Sequence, residues 1–141
     1  MTPTIVEKFN TMYQSLDKDN MHLLRDVYSD DIVFVDALHE INGIDTLKQY
    51  FEGMYQNLLY CRFNIHDVQS TDSSAYLSWK MEYAHPKLGG KKNISVDGVT
   101  HLKFDDKVTY HRDYADMGQM LYEQIPLLGS VIRQVKKKAV S

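Results

Sequence analysis

The sequence predicts an α+β fold in which helices pack on a curved antiparallel sheet and enclose a mostly apolar pocket. Three observations predict it. Apolar residues recur mainly at helical spacing as far as Leu58, and from Tyr60 the period changes to two. Helical and strand-like stretches are segregated along the chain, which argues for α+β rather than alternating βαβ units. The chain has 141 residues, 43% apolar and 25% charged, enough for one domain with a real core.

Each element has its own signature. Thr4-Ile5-Val6-Glu7 reads as a capping box, with Thr4 as cap and Glu7 reaching back. Ile5, Phe9, Met12, Tyr13 and Leu16 then mark a first helix. Asp17-Lys18-Asp19-Asn20 breaks it, and Asn20 is placed to cap a short second helix from Met21 to Tyr28. Ser29-Asp30-Asp31 reads as a turn. Ile32 to Asp36 is a short β-rich run whose alternation puts Ile32, Phe34 and Asp36 on one face. Asn42-Gly43 ends the next loop. Ile44, Leu47, Phe51, Met54 and Leu58 mark a third, longer amphipathic helix.

Strands follow over Tyr60 to Gln69, Ala75 to His85, Ile94 to Phe104 and Val108 to Ala115. They are separated by Thr71-Asp72-Ser73-Ser74, a loop from Pro86 to Asn93 with Gly89-Gly90, and the tight turn Asp105-Asp106-Lys107. Their apolar faces carry Cys61, Phe63 and Ile65, then Leu77, Trp79, Met81 and Tyr83, then Ile94, Val96, Gly98, Thr100, Leu102 and Phe104. The tail from Met117 to Val135 returns to helical spacing, and Pro126 and Gly129 are expected to break or kink it. No repeat or linker divides the chain. Residues 1–141 therefore read as a single domain, with a core over about 4–116 and a helical extension over 117–141.

Composition excludes several functions. The formal net charge is −3, whereas a general nucleic-acid binder is usually basic over much of one face. Only Lys136-Lys137-Lys138 is locally basic. The single cysteine, Cys61, permits no internal disulfide and fits a reducing compartment. No apolar run follows a basic start, so no signal peptide is expected. No stretch approaches the ~20 apolar residues of a transmembrane helix. A cytoplasmic protein is the expectation. Phosphate-binding, dinucleotide and zinc motifs are missing, and His22, His39, His66, His85 and His101 lack ligand spacing. No metal or cofactor is expected.

A few polar residues stand where chemistry could occur. Asp36 shares a face with Ile32 and Phe34, and a carboxylate among apolar neighbours suits a general base. It could equally end the strand and cap the next turn. Thr100 lies on the apolar face between Gly98 and Leu102 and needs a hydrogen-bond partner, either a ligand or a local group. His111 and Asp113 project from one face of the last strand and could form an acid/base pair. Alternation alone does not say whether that face or the one with Tyr110 and Tyr114 is inward. Tyr13 lies on the stripe of the first helix, as a core residue or an oxyanion donor. Phe34, Phe51, Met54, Trp79 and Leu102 are expected to line the pocket, and Cys61 to be core rather than nucleophile.

Tyr28-Ser29-Asp30-Asp31-Ile32-Val33-Phe34-Val35-Asp36, then Gly43-Ile44-Asp45 opening a helix, then meandering strands, resembles the nuclear-transport-factor-2-like superfamily. That group includes SnoaL-like polyketide cyclases and ketosteroid isomerases. The resemblance covers roughly Ile5 to Asp116 and implies a cone-shaped fold. It also implies that Asp36 occupies the place of the isomerases' proton-shuttling Asp. Tyr13 corresponds to their oxyanion tyrosine if the first loop is one residue shorter here. Thr100 stands where they carry a second, acidic donor. The same comparison points His111 and Asp113 into the cone, as in the cyclases.

These implications give two expectations. In one, a small apolar, carbonyl-bearing molecule enters the cone, and Asp36 or the His111/Asp113 pair removes a proton from it. Thr100 is a weaker donor than an acid, so steroid isomerisation proper is not expected. In the other, the domain is a non-catalytic binder or interaction module, dimerising through the outer sheet face as the superfamily often does. The tail is expected to pack on the domain, rather than to cover the cone, meet a dimer partner or touch a membrane surface.

Overall fold

Thr4 adopts extended backbone, and its Oγ1 accepts from Glu7 N at 3.1 Å, so the Thr4 half of the expected capping box forms. Helix α1 (Ile5–Ser15) follows in the computed structural model, which describes residues 4–87, 92–120 and 128–140. Val6, Phe9, Met12 and Tyr13 are its buried face. Asn20 does not cap the next helix. Its Oδ1 accepts from Asp17 N at 2.7 Å and its Nδ2 donates to Ser15 O at 2.8 Å, which ties down the loop leaving α1. A 3₁₀ turn (Met21–Leu23) and a one-turn helix α2 (Leu24–Val27) come next.

Strand β1 (Tyr28–Val35) starts earlier than expected. Ser29-Asp30-Asp31 is strand, not turn, and the polar residues mark a register shift against the neighbouring strand between Tyr28 and Val33. A three-residue strand β2 (Glu40–Asn42), read as loop from sequence, folds back on β1. Gly43 then adopts φ +93°, a left-handed conformation that glycine enters without Cβ strain, and starts helix α3 (Ile44–Asn57). Ile44, Leu47, Phe51 and Tyr55 of α3 face the core.

Strands β3 (Tyr60–Ser70), β4 (Ser74–Ala84), β5 (Ile94–Phe104) and β6 (Val108–Ala115) form an antiparallel meander. The six-stranded curved, unclosed sheet has the order β2-β1-β6-β5-β4-β3. One pairing departs from the expected all-antiparallel sheet: β1 runs parallel to β6. Parallel neighbours need a long crossover, and the whole of α3 and the meander supplies it.

Sequence alternation locates the inner face well. Leu77, Trp79, Met81 and Tyr83 of β4 and Ile94, Val96, Thr100 and Leu102 of β5 are all buried. Gly98 pairs with Trp79, and a Cβ on Gly98 would lie 2.3 Å from the indole ring. The missing side chain is the seat of the tryptophan.

The tail divides. Helix α4 (Met117–Met120) packs on β5, with Tyr83 O–H donating to Met120 O and Asp97 N donating to Gln119 Oε1 at 2.9 Å. Helix α5 (Leu128–Val140) carries Gly129 in its first turn, so that glycine does not break it. From Ser130 to Val140 its side chains are exposed apart from half-buried Ile132, and Lys136 Nζ lies 4.0 Å from Asp116 Oδ1. The bend expected at Pro126 and the Gly89-Gly90 loop lie outside the described residues. No helix of the described residues is long and apolar enough to cross a membrane.

Candidate functional site

The curved sheet, α1 and α3 leave a cavity of about 80 Å3 between them. Its walls are aromatic, from Tyr13, Phe34, Tyr50, Phe51, Phe63 and Trp79. Met54, Met81, Met117 and Met120 fill the gaps between the rings. Two carboxylates, Asp36 and Asp113, reach it, and no lysine, arginine or histidine among the described residues lines it.

Asp113 ends a chain of hydrogen bonds that starts in the core. Strand alternation on β6 turns His111 and Asp113 inward and leaves Tyr114 half-exposed outside, which answers the question that alternation left open. Trp79 Nε1 donates to Thr100 Oγ1 at 2.8 Å, and Thr100 Oγ1 donates to Asp113 Oδ1 at 2.6 Å. His111 Nε2 lies 2.7 Å from the same oxygen, and His111 Nδ1 lies 2.8 Å from Tyr28 Oη. Tyr28 and His111 are fully buried.

Proton positions follow from counting partners. An ionised carboxylate only accepts, so the His111 proton sits on Nε2. Neutral His111 then accepts at Nδ1 from Tyr28 O–H, and every group is satisfied. The chain is therefore built of donors that converge on Asp113 Oδ1. No hydrogen bond of the described residues engages Oδ2, and the side chain retains 14% exposure at the cavity.

Asp36 is held differently. Its Oδ1 accepts from Leu38 N at 2.9 Å and His39 N at 2.7 Å and lies 3.2 Å from His39 Nδ1. Tyr50 O–H donates to Oδ2 at 2.6 Å. Asp36 thus organises the turn from Asp36 to His39, closed by the Asp36 N–H donating to His39 O. Asp36 therefore forms the turn expected at the end of the strand and also lines the cavity.

Tyr13 is 4% exposed, lines the cavity, and its hydroxyl has no hydrogen-bond partner among the described residues. Burial and the charge of Asp113 hold its ionisation well above the ordinary tyrosine range, so it stays a donor. Burial also raises Tyr28, with Asp113 adding to it, and burial and the bond to Asp36 raise Tyr50. Cys61 lies outside the cavity, and burial pushes its thiol up to about 12, against an opposing bond from Tyr55. It is an unreactive core thiol.

Phe34, Phe51, Met54 and Trp79 line the cavity as the sequence suggests, but Leu102 does not. It is flanked in the sheet by Ala75 and His111, both buried, where the core is closed. Thr100 also stands back from the cavity, and its proton is committed to Asp113. Sequence reasoning missed Tyr28 and Tyr50. Tyr50 was detectable, because Leu47, Tyr50, Phe51 and Met54 share one helical stripe. Tyr28 was not, because its partner lies 83 residues away.

The pattern of a SnoaL-like domain matches residues 9–111, well over half of the chain. The chain belongs to the SnoaL-like family. Solved structures agree on the fold of this SnoaL-like domain. A protein described as a SnoaL-like polyketide cyclase from Shewanella putrefaciens CN-32 superposes with TM-score 0.70 at 21% identity, covering 85% of this chain and 95% of that one. A LEH-like epoxide hydrolase of M. tuberculosis gives 0.71 at 14% identity, covering 92% and 96%. A protein of Catenulispora acidiphila DSM 44928 with a ketosteroid isomerase-like fold, solved with trimethylamine, gives 0.72 at 14%, covering 88% and 93%. At these identities the likeness shows the fold alone, and the trimethylamine is a property of that protein. No curated protein matches the sequence of this SnoaL-like domain.

Proposed function

We propose that the domain binds a small molecule in its cone and that Asp113 exchanges a proton with it. One observation supports this above the rest: Asp113 is aligned by Thr100 and His111 through one oxygen, while the other oxygen is unengaged beside the cavity. A base held by packed neighbours at a fixed angle is what proton transfer needs. For a carbonyl substrate, Asp113 Oδ2 takes the proton from the adjacent carbon. The C–H electron pair moves into the carbonyl, and Tyr13 O–H donates to the oxygen that gains the charge. Where a C=C bond adjoins the α-carbon, return of the proton from Asp113 to the far carbon of that bond completes an isomerisation. Asp36 is the weaker choice for the base, because four donor groups surround its carboxylate. Size supports a small guest: about 80 Å3 is far below the roughly 300–1,000 Å3 of drug-sized pockets.

The test is hydrogen–deuterium exchange at the α-carbon of a panel of small ketones, followed by NMR. Asparagine keeps an Oδ1 acceptor for Thr100 and His111, so Asp113→Asn should fold normally. It should slow exchange by about 100-fold or more. Equal rates in wild type and Asp113→Asn would remove Asp113 from the role.

We also infer a homodimer through the outer sheet face. Tyr76, Tyr114 and Val99 are exposed there, with Tyr76 stacked on His101 at 4.3 Å. Sedimentation should show a dimer that Tyr76→Glu converts to monomer. A monomeric wild type at high concentration would count against it.

A further inference from the structure

We propose that the cavity recognises an organic ammonium group, as a small tertiary or quaternary amine or as the head of a larger molecule. The proposal names the ligand class of the site above and rests on the cavity being that site.

Charge is the first argument. Asp36 and Asp113 reach the cavity, and no lysine or arginine of the described residues lines it; each carboxylate has one histidine beside it, His39 Nδ1 at 3.2 Å from Asp36 and His111 Nε2 at 2.7 Å from Asp113. Carboxylates removed from water are normally matched by a cation, and a cationic guest in the cavity would face both of them. An anionic guest would meet both charges. It would also find few donors, since Trp79 N–H, Thr100 O–H and Tyr50 O–H are already committed.

The walls are the second argument. Six aromatic rings surround the space, and ring faces attract a desolvated cation. The unpartnered hydroxyl of Tyr13, buried and lining the cavity, can accept from an ammonium N–H or donate to an oxygen beside it.

Size is the third. A cavity of about 150 Å3 holds benzene, so about 80 Å3 holds on the order of three or four heavy atoms, the scale of a small methylated ammonium head. The proposal also answers a difficulty of the mechanism. A carbonyl compound bearing an ammonium brings its own positive charge to the enolate that forms when Asp113 takes the proton.

The test compares tetramethylammonium, tert-butanol and acetate on the full chain, by Trp79 fluorescence and by NMR of residues lining the cavity. Tetramethylammonium and tert-butanol have the same number of heavy atoms, so charge is what differs. Tetramethylammonium should saturate and bind about tenfold tighter than tert-butanol, and acetate should not bind. Asp113→Asn, with Asp36→Asn as a second variant, should erase most of that preference. Binding of tert-butanol as tight as the cation would overturn the proposal while leaving the cavity as a binding site. If none of the three perturbs the cavity residues, the binding-site reading fails and the proposal with it.

Discussion

Replacement of His111 by phenylalanine is expected to lower the unfolding free energy by about 3 kcal/mol, or roughly 10 °C in Tm. Phenylalanine is larger than histidine, so no cavity is left behind and the loss is not a cavity effect. It comes from two hydrogen bonds in a fully buried place. Tyr28 O–H loses its acceptor, and an orphaned buried donor costs about 1–3 kcal/mol. Asp113 loses a donor to a charged oxygen, worth a further 1.5–3 kcal/mol or so. Some of this is recovered by rearrangement, hence the lower total. The discriminating experiment is the double variant. Tyr28→Phe removes the orphan, so Tyr28→Phe/His111→Phe should be about 1 kcal/mol more stable than His111→Phe alone. Urea unfolding measures both. A single variant within about 0.5 kcal/mol of wild type would show that the chain of hydrogen bonds does not operate as drawn.

Gly98→Ala is expected to cost a similar amount by the opposite route, overpacking. The added methyl would stand 2.3 Å from Trp79 Cη2 and 2.5 Å from Cζ2. The indole is the far end of a side chain, yet it has little room to yield. Trp79 is 4% exposed, packs edge-on against Phe63 at 5.3 Å, and is pinned through Nε1 to Thr100. Overpacking of this kind costs about 1–3 kcal/mol, and displacement of the indole adds the lost bond to Thr100. Trp79 emission should shift to the red as the ring leaves its seat. A Gly98→Ala protein with wild-type stability and emission would mean that the ring has a second resting place.

Local pattern carried most of the fold into view. Period-two alternation located Trp79, Thr100 and Leu102 on the inner face of the meander, because a strand's sidedness is a property of neighbours in sequence. It could not say which inner positions open on a cavity, so Leu102 was expected at a surface that is in fact filled. Ser29-Asp30-Asp31 has turn composition and nonetheless lies in a strand, because pairing on either side of it, at Tyr28 and from Val33 onward, holds the stretch extended across the register shift. Asp36 was legible as a polar group on the apolar face, but not as the hub of a turn whose donors include Tyr50, fourteen residues on. The alignment of Asp113 depends on Trp79, Thr100, His111 and Tyr28, which come from three strands of the meander and from β1. Only the spacing of His111 and Asp113 is local enough to be read.

The parallel pairing of β1 with β6 sets when the site can exist. Tyr28 and His111 are separated by 83 residues, so at about 5–20 residues per second Tyr28 is synthesised roughly 4–17 s before its partner. In that interval Ile32 and Phe34 have no neighbour on the β6 side, and the nascent strand is a surface for chaperones to shield. Closing so distant a pair is entropically late and slow, and the cavity forms only when it closes. No fragment of the chain short of β6 can hold a ligand. Occupancy therefore protects the complete fold alone, and any ligand of the cone should slow degradation of finished protein while leaving unfinished chains untouched.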